Sequence, residues 1–359
     1  MPSAAPPVSG AVWSTGGDSL DQVSARDTDW EGVRLHVVTG KGGTGKTTVA
    51  GALAIALASG GGKVLLIEME GRQGIARLFD CPPLPYQERR IAVAPATATL
   101  PGGDVYALAA DAETALIEYL EMFYNLRHAG TALTRLGVVD FATTIAPGLR
   151  DVLLTGKAAE ATRRRYKGHP VYDAVVMDAP PPGRIGKFLN VATEVSGLAK
   201  MGPIHAHAET VDSVIRSPQT AVHFVTLLEE MPVQETLDGL AELRGLAQGG
   251  LQLGGIMINM VRPAGLPDDE LNAAARGRLD RHDLDLGLKA AGREDSLGLA
   301  TSLAAELGDH AREALAQRAQ RDRLDGTGQP LYELPLINDQ IDLGGLYRLA
   351  AVLRDQGAA

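Results

Sequence analysis

Leu35-His36-Val37-Val38-Thr39-Gly40-Lys41-Gly42-Gly43-Thr44-Gly45-Lys46-Thr47-Thr48 reads as an apolar strand, a glycine-rich turn and the opening of a helix. The β-branched run stops at Thr39, and the Ala- and Leu-rich stretch from Thr47 to Ser59 favours a helix. Between them, Gly40 to Thr47 fits G-x-x-x-x-G-K-[ST] in the strand, loop and helix context that this pattern requires. Gly42, Gly43 and Gly45 let the backbone curl with its N–H groups inward, and the helix start adds positive potential. Lys46 is then placed to reach the β- and γ-phosphates, and Thr47 to offer its hydroxyl to Mg2+. Gly40, Lys41, Thr44 and Thr48 complete the expected nucleotide contacts, so the expected ligand is ATP or ADP with Mg2+.

Outward from this loop, short β-branched runs alternate with longer helical patterns. The runs are Leu35 to Thr39, Lys63 to Met69, Val105 to Ala109, Val171 to Asp178, Val222 to Leu228, Leu253 to Asn259 and Leu331 to Leu334. Such alternation predicts an α/β fold with a mainly parallel sheet wrapped by helices. Residues 33–356 are expected to form a single phosphate-loop ATPase domain. Residues 1–32, rich in Ala, Pro, Ser and Gly, read as a disordered leader without the apolar core of a signal peptide. Residues 111–165 and 188–217 exceed an ordinary crossover and read as helical insertions with apolar faces. Pro263 to Gly328, rich in Arg and Asp, reads as solvent-facing helices.

The 359 residues carry a formal net charge of −10, which gives no electrostatic reason to expect nucleic acid as a partner. A single cysteine, Cys81, excludes an intrachain disulfide and a multi-thiol metal site within one chain. His205 and His207 lack carboxylate or thiol neighbours at ligand spacing and read as surface or packing residues. The longest apolar stretch, Val49 to Ala58, is about half the length that spans a bilayer, so the expected location is the cytoplasm.

A second landmark is the apolar strand that ends in Asp178 and runs into Ala179-Pro180-Pro181-Pro182-Gly183-Arg184. A carboxylate at the sheet's carboxyl edge can hold water on Mg2+. Three stiff prolines followed by a permissive glycine suit a segment that senses the γ-phosphate. Near the end of the second strand, Gln73 is able to orient an attacking water, as glutamine does in some GTPases.

The loop, with its additional Lys41 and the Gly42-Gly43 pair, resembles the deviant K-G-G-x-G-K-[ST] loop. That loop marks the family of partition ATPases, nitrogenase iron protein, and arsenite-transport and tail-anchored-protein-targeting ATPases. Asp178 to Arg184 looks like the D-T-A-P-T-G-H switch of the last two, with Ala179, Pro182 and Arg184 as departures. Lys63 to Gln73 occupies the place of their V-L-L-x-S-T-D-P-A-H segment, Glu70 standing where the family has its water-positioning aspartate. Asn259 resembles the adenine-reading asparagine, Glu333-Leu334-Pro335-Leu336 the later E-x-P-L segment, and Met231 to Thr236 the P-x-x-x-x-E-T stretch. The matches run from about residue 34 to 354 and suggest a bacterial, actinobacterial-like branch of the arsenite-transport and tail-anchored-protein-targeting ATPases.

The resemblance implies that Lys41 reaches the nucleotide of a partner subunit in a homodimer, or in a heterodimer with a sister ATPase. Lys41, Glu70, Gln73 and Asp178 are then the expected catalytic residues, and Asn259 and Pro335 the base contacts. The expected activity is slow ATP hydrolysis driving a dimeric switch whose helices handle a hydrophobic client or a membrane-associated partner. The alternative is a catalytically weak subunit of a heterodimer. A partition or positioning ATPase ranks last, because the final helix carries too few basic residues to bind a membrane.

Overall fold

The computed structural model describes residues 29–96, 101–124, 147–190, 203–247, 250–263, 265–293, 296–338 and 341–359. The expected runs form strands β1 (Leu35–Gly40), β2 (Lys63–Glu68), β4 (Asp104–Ala109), β7 (Ala174–Asp178), β8 (Thr220–Thr226), β9 (Gln252–Val261) and β10 (Leu331–Pro335). They join one eight-stranded sheet in the order β10-β9-β8-β1-β7-β2-β4-β3, parallel throughout except where β3 (Arg89–Val93) runs antiparallel to β4. Sequence reading missed β3, which opens on two exposed arginines, the kind of charge that protects a sheet edge from further pairing. It also missed the short hairpin of β5 (Arg165–Tyr166) and β6 (His169–Pro170).

Parallel strands need both faces covered, and alternate residues of each strand go to opposite cores. Val38, Val64, Leu66, Ala174 and Val176 face helix α1 (Lys46–Ala58), which packs against the final helix, α11 (Leu343–Asp355). Val37, Leu65, Ile67, Val175 and Met177 face the other layer. That layer holds α4 (Pro147–Arg163), α5 (Pro182–Leu189), α6 (Pro203–Ile215) and α7 (Glu230–Ala247). A further short helix, α2 (Gly74–Leu78), follows β2, and α3 (Ala112–Tyr124) follows β4.

Two expectations are sharpened by the structure. Val152, Leu154, Val211, Val214 and Ile215, expected on the apolar faces of helical insertions, pack in the sheet's own core. The remaining apolar positions of those stretches, Tyr119 to Val139 and Val191 to Met201, lie outside the residues whose side chains are described. The leader boundary at 32 is also too late. Trp30 is 7% exposed in the α1-side core, its indole Nε1–H donating to the Tyr332 hydroxyl at 3.0 Å, and Asp29 N–H donates to Gly357 O. At the other end Ala358, beyond the expected limit of 356, is fully buried.

Residues 263–328 largely match expectation. Helix α8 (Asp268–Ala275) and the thirty-residue α10 (Ser296–Asp325) share a small core around Leu271, Ala274, Ala311 and Ala314, and α9 (Arg281–Ala290) packs on α10.

Candidate nucleotide site at the carboxyl edge of the sheet

The phosphate loop leaves β1 at the sheet's carboxyl edge, where an open α/β sheet binds its ligands. Gly43 (φ 92°) and Gly45 (φ 81°) take the left-handed conformation that side chains rarely adopt, which explains the glycine pattern. Gly45 caps α1, so Lys46 and Thr47 stand in its first turn with free N–H groups around them. The Thr44 hydroxyl closes the loop by donating to Lys41 O at 2.8 Å.

Two expected residues from elsewhere in the chain, Asp178 and Glu70, converge on Thr47 and Lys46 of this loop. Asp178, ending β7, is 5% exposed and accepts the Thr47 hydroxyl on Oδ2 at 2.7 Å. Burial pushes its carboxyl up to about 6, against the opposing pull of Lys46 and the Thr47 hydrogen bond, while Glu68 and Glu70 add to the rise. Its Oδ1 is buried without a donor. An orphaned carboxylate oxygen beside a helix-start threonine fits a Mg2+ hydration shell, so Thr47 and Asp178 are the residues that would hold the metal, Asp178 through water. Lys46 Nζ lies 3.4 Å from Glu70 Oε2, which brings Glu70 to the place where the terminal phosphate is expected. Thr39, ending the buried strand, donates its hydroxyl to Pro180 O at 2.6 Å and ties the loop to the proline segment.

Two expected residues are engaged differently. The Gln73 amide donates to Leu84 O at 3.2 Å and accepts Leu84 N–H at 2.7 Å, so both of its polar atoms serve the turn after α2. Asn259 Nδ2 donates to Thr44 O at 2.9 Å, bracing the phosphate loop from β9. Asn259 also lines a cleft of about 120 Å3 with Leu228, Met260, Arg262 and Leu336, beside Pro335 at the end of β10.

Sequence reasoning assigned no role to Glu235 or Glu68. Lys41 does not turn into its own loop; its Nζ pairs with Glu235 Oε1 on α7 at 2.6 Å, and both side chains are accessible, at 29% and 38%. Glu235 lay within the segment matched to P-x-x-x-x-E-T, but only the fold brings it to Lys41. Glu68 lay inside the expected run Lys63 to Met69 and ends β2 in the structure.

The proline segment continues directly into α5, with Pro182 at its start and Ile185, Phe188 and Leu189 buried. Helix α5 packs on α7, where Gly239 is so close to Pro182 and Phe224 that a Cβ would meet them at 3.0 and 2.8 Å. Gly239 lies one turn from Glu235, so Pro182, four residues after Asp178, packs on the same helix that carries the partner of Lys41.

The description "Anion-transporting ATPase" belongs to the family whose profile matches residues 33–208, which hold the loop, Glu70, Asp178 and the proline segment. "ATPase BagA" of Mycobacterium tuberculosis is 52% identical over 352 residues, covering 97% of this chain and 99% of the relative. An ATPase of Mycobacterium bovis matches to the same extent. A protein of Halobacterium salinarum described as an arsenical pump-driving ATPase is 23% identical over 299 residues, 78% of this chain and 45% of that protein. Among the described residues no helix is long and apolar enough to cross a membrane. Loop, strand-end carboxylate and full-length relatives agree, and the chain belongs to the anion-transporting ATPase family and is itself an ATPase.

Proposed function

We propose that the protein is a nucleotide-driven dimeric switch that binds ATP with Mg2+, hydrolyses it slowly, and closes when Lys41 reaches the nucleotide of a second subunit. The observation that carries this reading is the Lys41–Glu235 pair. The first lysine of the loop is turned outward, held by an accessible carboxylate instead of by its own phosphate cradle. Exposed pairs of this kind contribute little, about 0–1 kcal/mol, so a phosphate from a partner site can displace Glu235. The packing of Pro182 on Gly239, one turn from Glu235, supports a route by which the proline segment alters that pair.

Lys46 holds the phosphates as a point charge, Thr47 and Asp178 hold hydrated Mg2+, and Glu70 positions water once Lys46 has turned from it to the nucleotide. Asn259 and Pro335 contribute to the base cleft. We place the surface that meets a hydrophobic client or membrane-associated partner at the groove between α4 and α6. It is about 450 Å3 and lined in part by Gly156, Ala159, His207 and Val211, and α4 also packs on α5.

Lys41→Ala tests the switch. Single-subunit ATP affinity is expected to stay within about threefold, while ATP-dependent dimerisation, followed by sedimentation velocity, is lost, because a ligand biases only the state it binds better. Full dimerisation of Lys41→Ala with ATP would overturn the reading. Dimerisation and turnover only on mixing with a sister ATPase would favour the heterodimer.

A further inference from the structure

Glu68 and Asp178 end neighbouring parallel strands and are register partners. Strands in a sheet lie about 4.8 Å apart, and side chains at partnered positions project from the same face. That face is the one α1 covers, because Val64, Leu66, Ala174 and Val176, an even number of residues back, belong to the α1-side core. Both carboxylates are buried, Glu68 at 2% exposure and Asp178 at 5%. In each, one oxygen is held and the other is not. Glu68 Oε2 accepts Ile75 N–H at 3.0 Å and Asp178 Oδ2 accepts the Thr47 hydroxyl at 2.7 Å. Glu68 Oε1 and Asp178 Oδ1 have no hydrogen-bond partner.

Two buried carboxylate oxygens without donors, at partnered positions of adjacent strands, are costly on their own. The cost is relieved when donors or a cation arrive at both together. Mg2+ keeps several of its waters and is held by one or two carboxylates together with substrate phosphates. We propose that Glu68 is a second carboxylate for the Mg2+ of the nucleotide, acting beside Asp178 through metal-bound water. Its other oxygen fixes the start of α2, whose Gly74 lies against Thr47, so the same side chain ties the metal seat to the turn after β2. The proposal rests on the Mg2+-nucleotide reading of the loop and adds a residue to it.

The rival role for Glu68 is to cap α2 and nothing else. Glu68→Gln keeps an oxygen for Ile75 N–H and removes the charge. Mn2+ in place of Mg2+, titrated by electron paramagnetic resonance against the full chain with ADP, reads metal affinity without turnover. Mn2+ affinity in Glu68→Gln is expected to fall about tenfold, as is common when residues around a metal's ligands are changed. ADP binding in EDTA should be unchanged or tighter, because a negative charge has been removed beside the phosphates. Glu68→Asp, which keeps the charge and gives up the Ile75 bond, should hold Mn2+ within about threefold of wild type. Equal loss in both variants would assign Glu68 to capping, and wild-type affinity in Glu68→Gln would likewise overturn the proposal. Wild-type protein whose ADP affinity is indifferent to metal would instead remove the Mg2+ reading of the whole site, and the proposal with it.

Discussion

Across one face of the sheet, at the level of Val38, two kinds of buried polar group stand on either side of a single strand. His223 on β8 and Asp178 on β7 are both register partners of Val38, and Glu68 on β2 is the next in the row. On the β8 side the fold supplies partners for three of the four ring nitrogens of His36 and His223, all but His36 Nε2. Gly255 N–H donates to His223 Nδ1 at 3.1 Å, which leaves the ring proton on Nε2 to be donated to His36 Nδ1 at 3.1 Å. Trp30 meets the His223 ring edge to face. On the β7 and β2 side two carboxylate oxygens are left without donors. Equal depth therefore does not mean equal purpose: a neutral imidazole pair that satisfies all but one of its ring nitrogens is structure, whereas two neighbouring carboxylates that each keep an orphaned oxygen suit a cation.

The largest test of this contrast is Lys46→Ala, which removes the central charge from the ligand-facing side only. ATP affinity is expected to fall at least about 100-fold, equivalent to about 2.7 kcal/mol, in an equilibrium fluorescent-nucleotide titration. Urea denaturation should show the apo protein unchanged within about 0.5 kcal/mol, since the ion pair that Lys46 makes with Glu70 is long. Unchanged ATP affinity would remove the loop from the site, and a large loss of stability would blur the distinction between the two sides.

The ligand-facing side was the more legible of the two in the sequence, because its constraints are local. Glycines at positive φ, a lysine and a threonine at a helix start, and an aspartate ending an apolar strand are each recognisable from their own few neighbours in the chain. What stayed hidden depends on distant segments meeting. Glu235 is 194 residues from Lys41, and the brace of Asn259 on Thr44 spans 215. Glu68 looks like the end of a strand until its register with Asp178 is known. The histidine pair was invisible for the same reason, as His36 and His223 are 187 residues apart. The role of the helices in 111–165 and 188–217 stayed open because apolar periodicity is the same whether a helix packs on its own sheet or offers a face to a client.

A second test uses pH, because the two sides titrate in opposite senses. Burial holds His36 at about 4, below its ordinary 6.5, and His223 well below it, with His36 adding to the second shift. Their contribution to stability is therefore fully present above about 6.5 and is lost as pH falls toward 4. Between pH 7.5 and 5.5 His36 alone should cost about 1.4 kcal/mol. Asp178, raised to about 6, acts the other way: its contribution is present at low pH and lost as pH rises through 6. Denaturant unfolding across this range should thus show a steeper acid loss in Asp178→Asn than in wild type, by about 1 kcal/mol. Parallel curves would mean that the two sides do not differ in the way their burial implies.

The smallest expected effect carries the same contrast down to two residues three positions apart. Glu70 faces Lys46 across 3.4 Å, and its other oxygen lies 3.9 Å from the exposed Arg72 guanidinium. The Gln73 amide, by contrast, has both polar atoms committed to the Leu84 backbone and sits on a residue with φ 55°, a strained conformation for a side chain other than glycine. Orienting water with Gln73 would mean breaking two hydrogen bonds, whereas Glu70 needs only Lys46 to turn away, which phosphate binding itself brings about. Glu70→Gln should lower steady-state phosphate release about fivefold, since a misplaced water slows attack without abolishing it. Gln73→Ala should leave turnover within about twofold but lower stability by about 1–2 kcal/mol, as the Leu84 turn loses both bonds. The reverse pattern, turnover removed by Gln73→Ala and spared by Glu70→Gln, would show that the turn after α2 rearranges on ATP binding. A residue that looks satisfied in the empty site would then belong with the ligand-facing group.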